Sequence, residues 1–176
     1  MDQLLSCAEM LQAPTFAAYY RTAVDFCAFI EQPVPGLPQD FLLATRRYLV
    51  RLYDAASALP WVDLQSNQDF DDTLAATTFQ ATLSSIAERL GEARYYWHVF
   101  DPLDDVENTA VCGDLLDDLG DIYKDIRYAL LVFHLGQLDC QENALWQFKF
   151  DFDAHWDRHC VNALSAIHFY LKRLPE

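Results

Sequence analysis

Long apolar runs are missing from this sequence. The longest spans only a few residues, well short of the roughly 20 that a membrane-crossing helix needs. Positive charge is also scarce: 12 Lys and Arg stand against 27 Asp and Glu, a net charge of −15. Such a field repels phosphate backbones and anionic lipid, so neither direct nucleic-acid binding nor membrane attachment is expected. Glycine is limited to 5 residues, and none forms a Gly-rich phosphate loop. Cys7, Cys27, Cys112, Cys140 and Cys160 are odd in number, widely spaced and free of any C-x-x-C pair. That argues against a disulfide framework or a structural zinc knuckle. Most of them are expected to be small, reduced, buried side chains. The opening MDQLLSCAEMLQAP lacks the basic residue and apolar stretch of a signal peptide, so the cytoplasm is the expected compartment.

What the chain does have is apolar content, at 52%, and aromatic content, at 14%, enough to build a core and far from the profile of disorder. The apolar residues recur at steps of three and four, the period of an amphipathic helix. Phe16, Tyr19, Ala23, Phe26 and Ile30 mark a helix over 15–32, which EQPVPGLPQD breaks. Phe41, Thr45, Tyr48, Leu52 and Ala56 mark a second over 40–59, stopped by Pro60. The acidic DFDD at 69–72 suits a helix start, and the stripe from Phe79 through Leu83, Ile86, Leu90, Ala93 and Trp97 extends a third helix over 73–100. DPLDDVENTAVCG then reads as an acidic loop. A fourth helix, 114–135, carries Leu115, Leu119, Ile122, Ile126, Ala129 and Phe133, with Gly136 as its C-cap. A long last helix covers 141–173. No segment alternates as a half-buried strand would. The expected fold is all-α: residues 1–176 form a single domain, an antiparallel bundle of five or six helices.

The charge is concentrated. Between Asn67 and Asp125 there are 14 acids against three bases, Arg89, Arg94 and Lys124. Within GDLLDDLGDIYKDI, Asp114, Asp118, Asp121 and Asp125 form a stripe one residue out of phase with the leucines and isoleucines, so they border the apolar seam. Asp117 and Asp121 lie one turn apart, where like charges cost a few tenths of a kcal/mol and a neutralising partner helps. On the last helix the inward series Leu145, Phe148, Phe152, Ala163, Ile167 and Tyr170 leaves two gaps, filled by His155 and His159. Imidazoles at i and i+4 share a face and can hold one metal ion.

Hairpin geometry brings these groups to one height. Antiparallel packing about 136–139 pairs positions whose numbers sum to roughly 275, which sets Asp117 and Asp121 level with His155 and His159. Reflection about the preceding connection pairs numbers summing to roughly 214, which brings the RYYWHVFDP segment to the same slice. Tyr95, Tyr96, Trp97, Asp118 and Trp156 are therefore the expected pocket or polar network, with Asp117, Asp121, His155 and His159 the candidate metal ligands. Mixed nitrogen and oxygen donors suit zinc, iron or manganese better than magnesium. The same layer also reads as a satisfied polar network that fixes helix register, or as an aromatic-lined ligand pocket. DDLGD resembles the magnesium motif of terpene synthases, but the chain is too short for that fold and has no second motif. Arg46, Arg47 and Arg51 read as a solvated helix face, and His98 and His134 as isolated residues.

Three stretches, YYWHVFDPLDD, GDLLDDLGDIYKDIR and FDFDAHWDRHCVNALSAIHFYL, resemble an uncharacterised bacterial family known only as a domain of unknown function (number 5063). The resemblance runs from the first helix to the C-terminus and is strongest after residue 94. It implies an all-helical, single-domain bacterial protein and carries no activity, ligand or catalytic residue.

No nucleophile, base and oxyanion site assemble in the sequence. The first functional expectation is thus a non-enzymatic acidic module that binds a basic protein partner or a small ligand. The alternative is a metal-dependent hydrolase acting on a phosphate ester, with the Asp/His layer holding a divalent ion. Oligomeric state is not encoded in any pattern found here.

Overall fold

The computed structural model describes residues 4–32, 36–66, 73–99, 101–106 and 109–173. It is predominantly helical, and α-helical packing accounts for nearly all of its core. Helix α1 (Cys7–Gln12) starts at a reciprocal cap: Ser6 Oγ accepts from the Glu9 amide while the Glu9 carboxylate accepts from the Ser6 amide. Helices α2 (Pro14–Glu31) and α3 (Pro38–Ser57) each begin on a proline, whose missing N–H costs nothing in a first turn. Helix α4 (Thr73–Leu90) follows; DFDD, expected to start it, lies outside the described residues.

Helix α4 ends ten residues earlier than its apolar stripe predicts. Gly91 takes φ +51°, a 3₁₀ turn covers Gly91–Arg94, and the chain then extends as β1 (Tyr95–Val99). β2 (Ala110–Asp114) pairs with it antiparallel, with Tyr95 opposite Asp114, Tyr96 opposite Gly113 and Trp97 opposite Cys112. The expectation of helix through this segment, and of loop through residues 110–113, is corrected. Glycine released the helix, and an aromatic, β-branched run prefers a pleated surface.

Helix α5 (Leu115–His134) packs against α2, α4, α6 and α7. Its N-cap is Asp114, which accepts from the Leu116 amide. After Gly136, at φ +77°, the chain reverses into α6 (Leu138–Asp151) and α7 (Asp157–Arg173). These two are one rod, joined by a π-helical turn over Phe152–Trp156.

That turn has a physical origin in the sequence. Phe148, Phe152, Trp156 and Cys160 are all buried, at steps of four. In a straight α-helix each such step overshoots one turn by about 40°, so three would swing the stripe roughly 120° around the rod. A turn bonded to i+5 holds an extra residue and cancels most of the drift. The buried stripe therefore runs through Trp156 and Cys160. His155 and His159, expected in its gaps, stand one residue off it, with His155 exposed and His159 half-buried. Cys112 is the exposed exception among the cysteines, and all five are free thiols. No described helix is long and apolar enough to cross a membrane.

Candidate metal centre between α5 and α7

The acidic stripe of α5 meets the two histidines across the α5–α7 contact. Asp118, only 4% exposed, is the deepest member. Its Oδ2 accepts from the Tyr96 hydroxyl at 2.6 Å, and its Oδ1 accepts from His159 Nδ1 at 2.8 Å. One turn further, His155 Nδ1 donates to Asp125 Oδ2 at 2.6 Å. A carboxylate only accepts, so both Nδ1 atoms carry protons and both Nε2 atoms are left facing away from their anchors.

Both Nε2 atoms face the same oxygen. Asp121 Oδ2 lies 3.7 Å from His159 Nε2 and 4.0 Å from His155 Nε2. The two rings meet edge to face, centroids 5.0 Å apart. One donor atom from each of Asp121, His155 and His159 lies within 4.8 Å of the others. The other Asp121 oxygen is held by Lys124. Three lone pairs thus converge on a common point, an arrangement that repels itself unless a proton or a cation fills it. Tetrahedral zinc with ligands at about 2.0–2.1 Å spaces them about 3.4 Å apart, only a few tenths of an ångström inside the gaps to Asp121. The donor types fit such an ion, which would draw the three donor atoms, now within 4.8 Å of one another, closer together. Asp118 and Asp125 supply the carboxylate behind each imidazole that fixes tautomer and ring direction in metal sites.

The hairpin takes part through Tyr96 alone. Its ring lies flat on Gly113, where a Cβ would come within 2.4 Å of the ring. Glycine there lets the hydroxyl reach Asp118. Burial first, then the bond to Asp118, pushes the Tyr96 hydroxyl's pKa up. For His159 the bond to Asp118 raises the imidazole's pKa against the opposing effect of burial. Asp125 is raised by burial, with His155 opposing.

The remaining expected residues stand elsewhere. Tyr95 and Trp97 point outward from the hairpin, 63% and 74% exposed, because alternate strand residues face opposite sides. They do not join the network. Trp156 lies wholly in the core, its Nε1 without a partner. Asp117 sits outside the converging trio and lines a cleft of about 320 Å³ between α4 and α5, together with Leu83, Arg94, Asp121 and Lys124. Burial, and then the charge of Asp121, raises the Asp117 pKa. Asp121 is the one residue shared by cleft and centre. Asp125, placed on the stripe by sequence but given no role, turns out to anchor His155. Its signal was the i+4 step from Asp121. His134, expected to be isolated, bonds the Tyr20 hydroxyl at 2.7 Å.

A helical bundle bearing an Asp/His centre beside a short hairpin is therefore the class of molecule at hand. The model of the family described as a domain of unknown function (DUF5063) matches residues 13–172, and the chain belongs to that family. The crystal structure of protein BF1032 from Bacteroides fragilis, a structural-genomics target, is similar in fold, with a TM-score of 0.79 at 24% identity. The match covers 95% of this chain and 98% of that one. No curated protein matches the sequence.

Proposed function

We propose that this protein binds one divalent transition-metal ion through Asp121, His155 and His159, and that the ion serves hydrolysis of an anionic ester such as a phosphate ester in the adjoining cleft. The observation that carries the reading is the aim of the two imidazoles: each is held at Nδ1 by its own carboxylate, and both turn Nε2 to one oxygen of Asp121. Three protein ligands leave coordination open, the pattern of catalytic rather than structural sites. Bound there, a metal would polarise an ester oxygen or lower the pKa of a water. The chain's own residues supply the rest. Asp118 and Asp125 hold the imidazole tautomers, Tyr96 fixes Asp118, and Lys124 keeps Asp121 presenting a single oxygen. Arg94 and Lys124 line the cleft but are each paired with a carboxylate, Asp114 and Asp121, so the bound cation would supply the charge that draws an anionic substrate.

Elemental analysis of protein purified without chelator tests the reading. Near-stoichiometric zinc, iron or manganese is expected, lost in His155→Ala and His159→Ala. Hydrolysis of bis(p-nitrophenyl) phosphate, abolished by chelator and restored by the metal found, tests the chemistry separately. A second reading has its own support: Lys124 already neutralises one Asp121 oxygen, so the layer can serve as a polar network that fixes helix register. That reading expects negligible metal and a His155→Ala protein changed only in melting temperature.

A further inference from the structure

The hairpin is anchored by one face and displays the other. Tyr96 and Gly113 look inward, while Tyr95, Trp97, Ala110 and Cys112 are all exposed on the outer face. Beyond the strands, Asp101 accepts from the Leu103 amide and Asp104 from the Val106 amide, and both apolar side chains stand almost fully in solvent. Large aromatic side chains left this exposed on an ordered strand face are a feature of surfaces where something docks.

Charge decides what docks. From residue 95 to residue 113 the chain has no Lys or Arg and four acids, Asp101, Asp104, Asp105 and Glu107. Glu92, Asp101 and Asp105, close to the aromatic strand in sequence, are exposed. A second copy of this chain, itself at −15, would bring like charge against like. A cationic partner gains twice, by Coulomb attraction to the acids and by cation–π contact with the indole and phenol rings. One such contact is already made: the Arg94 guanidinium, clamped on Asp114 by bonds of 2.6 and 2.9 Å, lies 5.0 Å from the Tyr95 ring centroid. The Trp97 ring, the better cation acceptor of the two, has no such neighbour among the described ring–cation contacts.

We infer that the outer face of strands β1 and β2 is a docking surface for an arginine-rich, partly apolar segment of another protein, with Trp97 as its central contact. The surface stands independently of the metal reading, since neither Trp97 nor Leu103 touches the centre.

The probe is a fluorescein-labelled dodecapeptide of alternating arginine and leucine, titrated with the full chain by fluorescence anisotropy. Saturable binding is expected that Trp97→Ala weakens at least tenfold and that Asp101→Asn with Asp105→Asn weakens about threefold. It should fall as salt rises, and the same peptide with glutamate for arginine should not bind. Trp97 is exposed, so melting temperature and metal content should be unchanged in Trp97→Ala. Absence of binding, or equal binding by wild type and Trp97→Ala, overturns the inference. So does sedimentation of the wild type alone as a concentration-dependent dimer that Trp97→Ala abolishes, because the occupant is then a second copy.

Discussion

The two halves of α5 face the same antiparallel rod and solve different problems. From Ile126 onward the contact is apolar: Phe133 meets Phe16, Tyr20 and Phe148 in an aromatic cluster with ring centroids 5.5 to 6.5 Å apart. From Asp118 to Asp125 the contact is a chain of directed bonds from carboxylate to imidazole. Apolar burial is non-directional and scales with area, so the first half supplies cohesion and tolerates repacking. Each bond in the second half has a single correct partner. Losing one member leaves another unsatisfied, and the net stability gained is small. A fold that needed only cohesion would have carried the apolar contact to the end of the helix. The polar half is where geometry has been specified at the expense of stability.

A crossed pair of substitutions breaks the comparison most sharply. Phe148, buried among Phe16, Tyr19 and Phe133, should cost about 3–5 kcal/mol as Phe148→Ala, read by urea unfolding, with metal content per folded molecule unchanged. Asp118→Ala should cost less, about 2–3 kcal/mol, by leaving His159 Nδ1 and the Tyr96 hydroxyl unpaired. Its metal affinity should nonetheless fall roughly 10–100-fold. Equal effects of the two on metal content would mean that the halves are not distinct.

Gly113→Ala reaches the polar half from a distance. Its methyl would meet the Tyr96 ring, which must move and draw the hydroxyl off Asp118. A loss of about 2 kcal/mol is expected, with a change in Tyr96 near-ultraviolet dichroism. Tyr96→Phe, which keeps the ring and removes only the hydroxyl, should cost about 1 kcal/mol. If Gly113→Ala is silent, the ring is not held where the hairpin register sets it.

How much of this was legible follows from which signals are periodic. Helices α2, α3 and α5 read within about two residues, because each has an uninterrupted three–four stripe and a proline or aspartate at its start. Even the meeting of distant groups was legible: Asp121 with His155, and Tyr96 with Asp118, obey the reflection sums of a bundle. Three features were not. The hairpin hid because Ala93 and Trp97 continue the phase of Leu90, and only Gly91 marks the break. The π-turn hid because its evidence is one extra residue gathered over the three steps from Phe148 through Phe152 and Trp156 to Cys160, and a strict 3.6 period puts His155 in the stripe instead. The outward face of Tyr95 and Trp97 followed from the missed strand, since strand alternation, not helical phase, decides where they point.

The finest difference between the halves lies at their boundary, where Asp151 comes from α6. Burial, and then the nearby charge of Asp125, raises its carboxyl to about 7, while a bond from Gln147 and the charge of His155 pull it down. The sign of its effect follows directly. Between pH 4 and pH 7 the folded protein holds this proton and the unfolded chain has released it, so stability falls as pH rises through that window and is level above it. Asp151→Asn removes the charge and can still accept from Gln147. At pH 8, with chelator present, it should stabilise the protein by about 1 kcal/mol in urea unfolding, a gain that shrinks toward zero by pH 4.5. A gain of the same size at both pH values would mean that packing, not charge, is responsible. A loss at pH 8 would mean that the carboxylate is held by a partner stronger than the burial that opposes it, and the boundary between the apolar and polar halves would then lie a full turn earlier on α6.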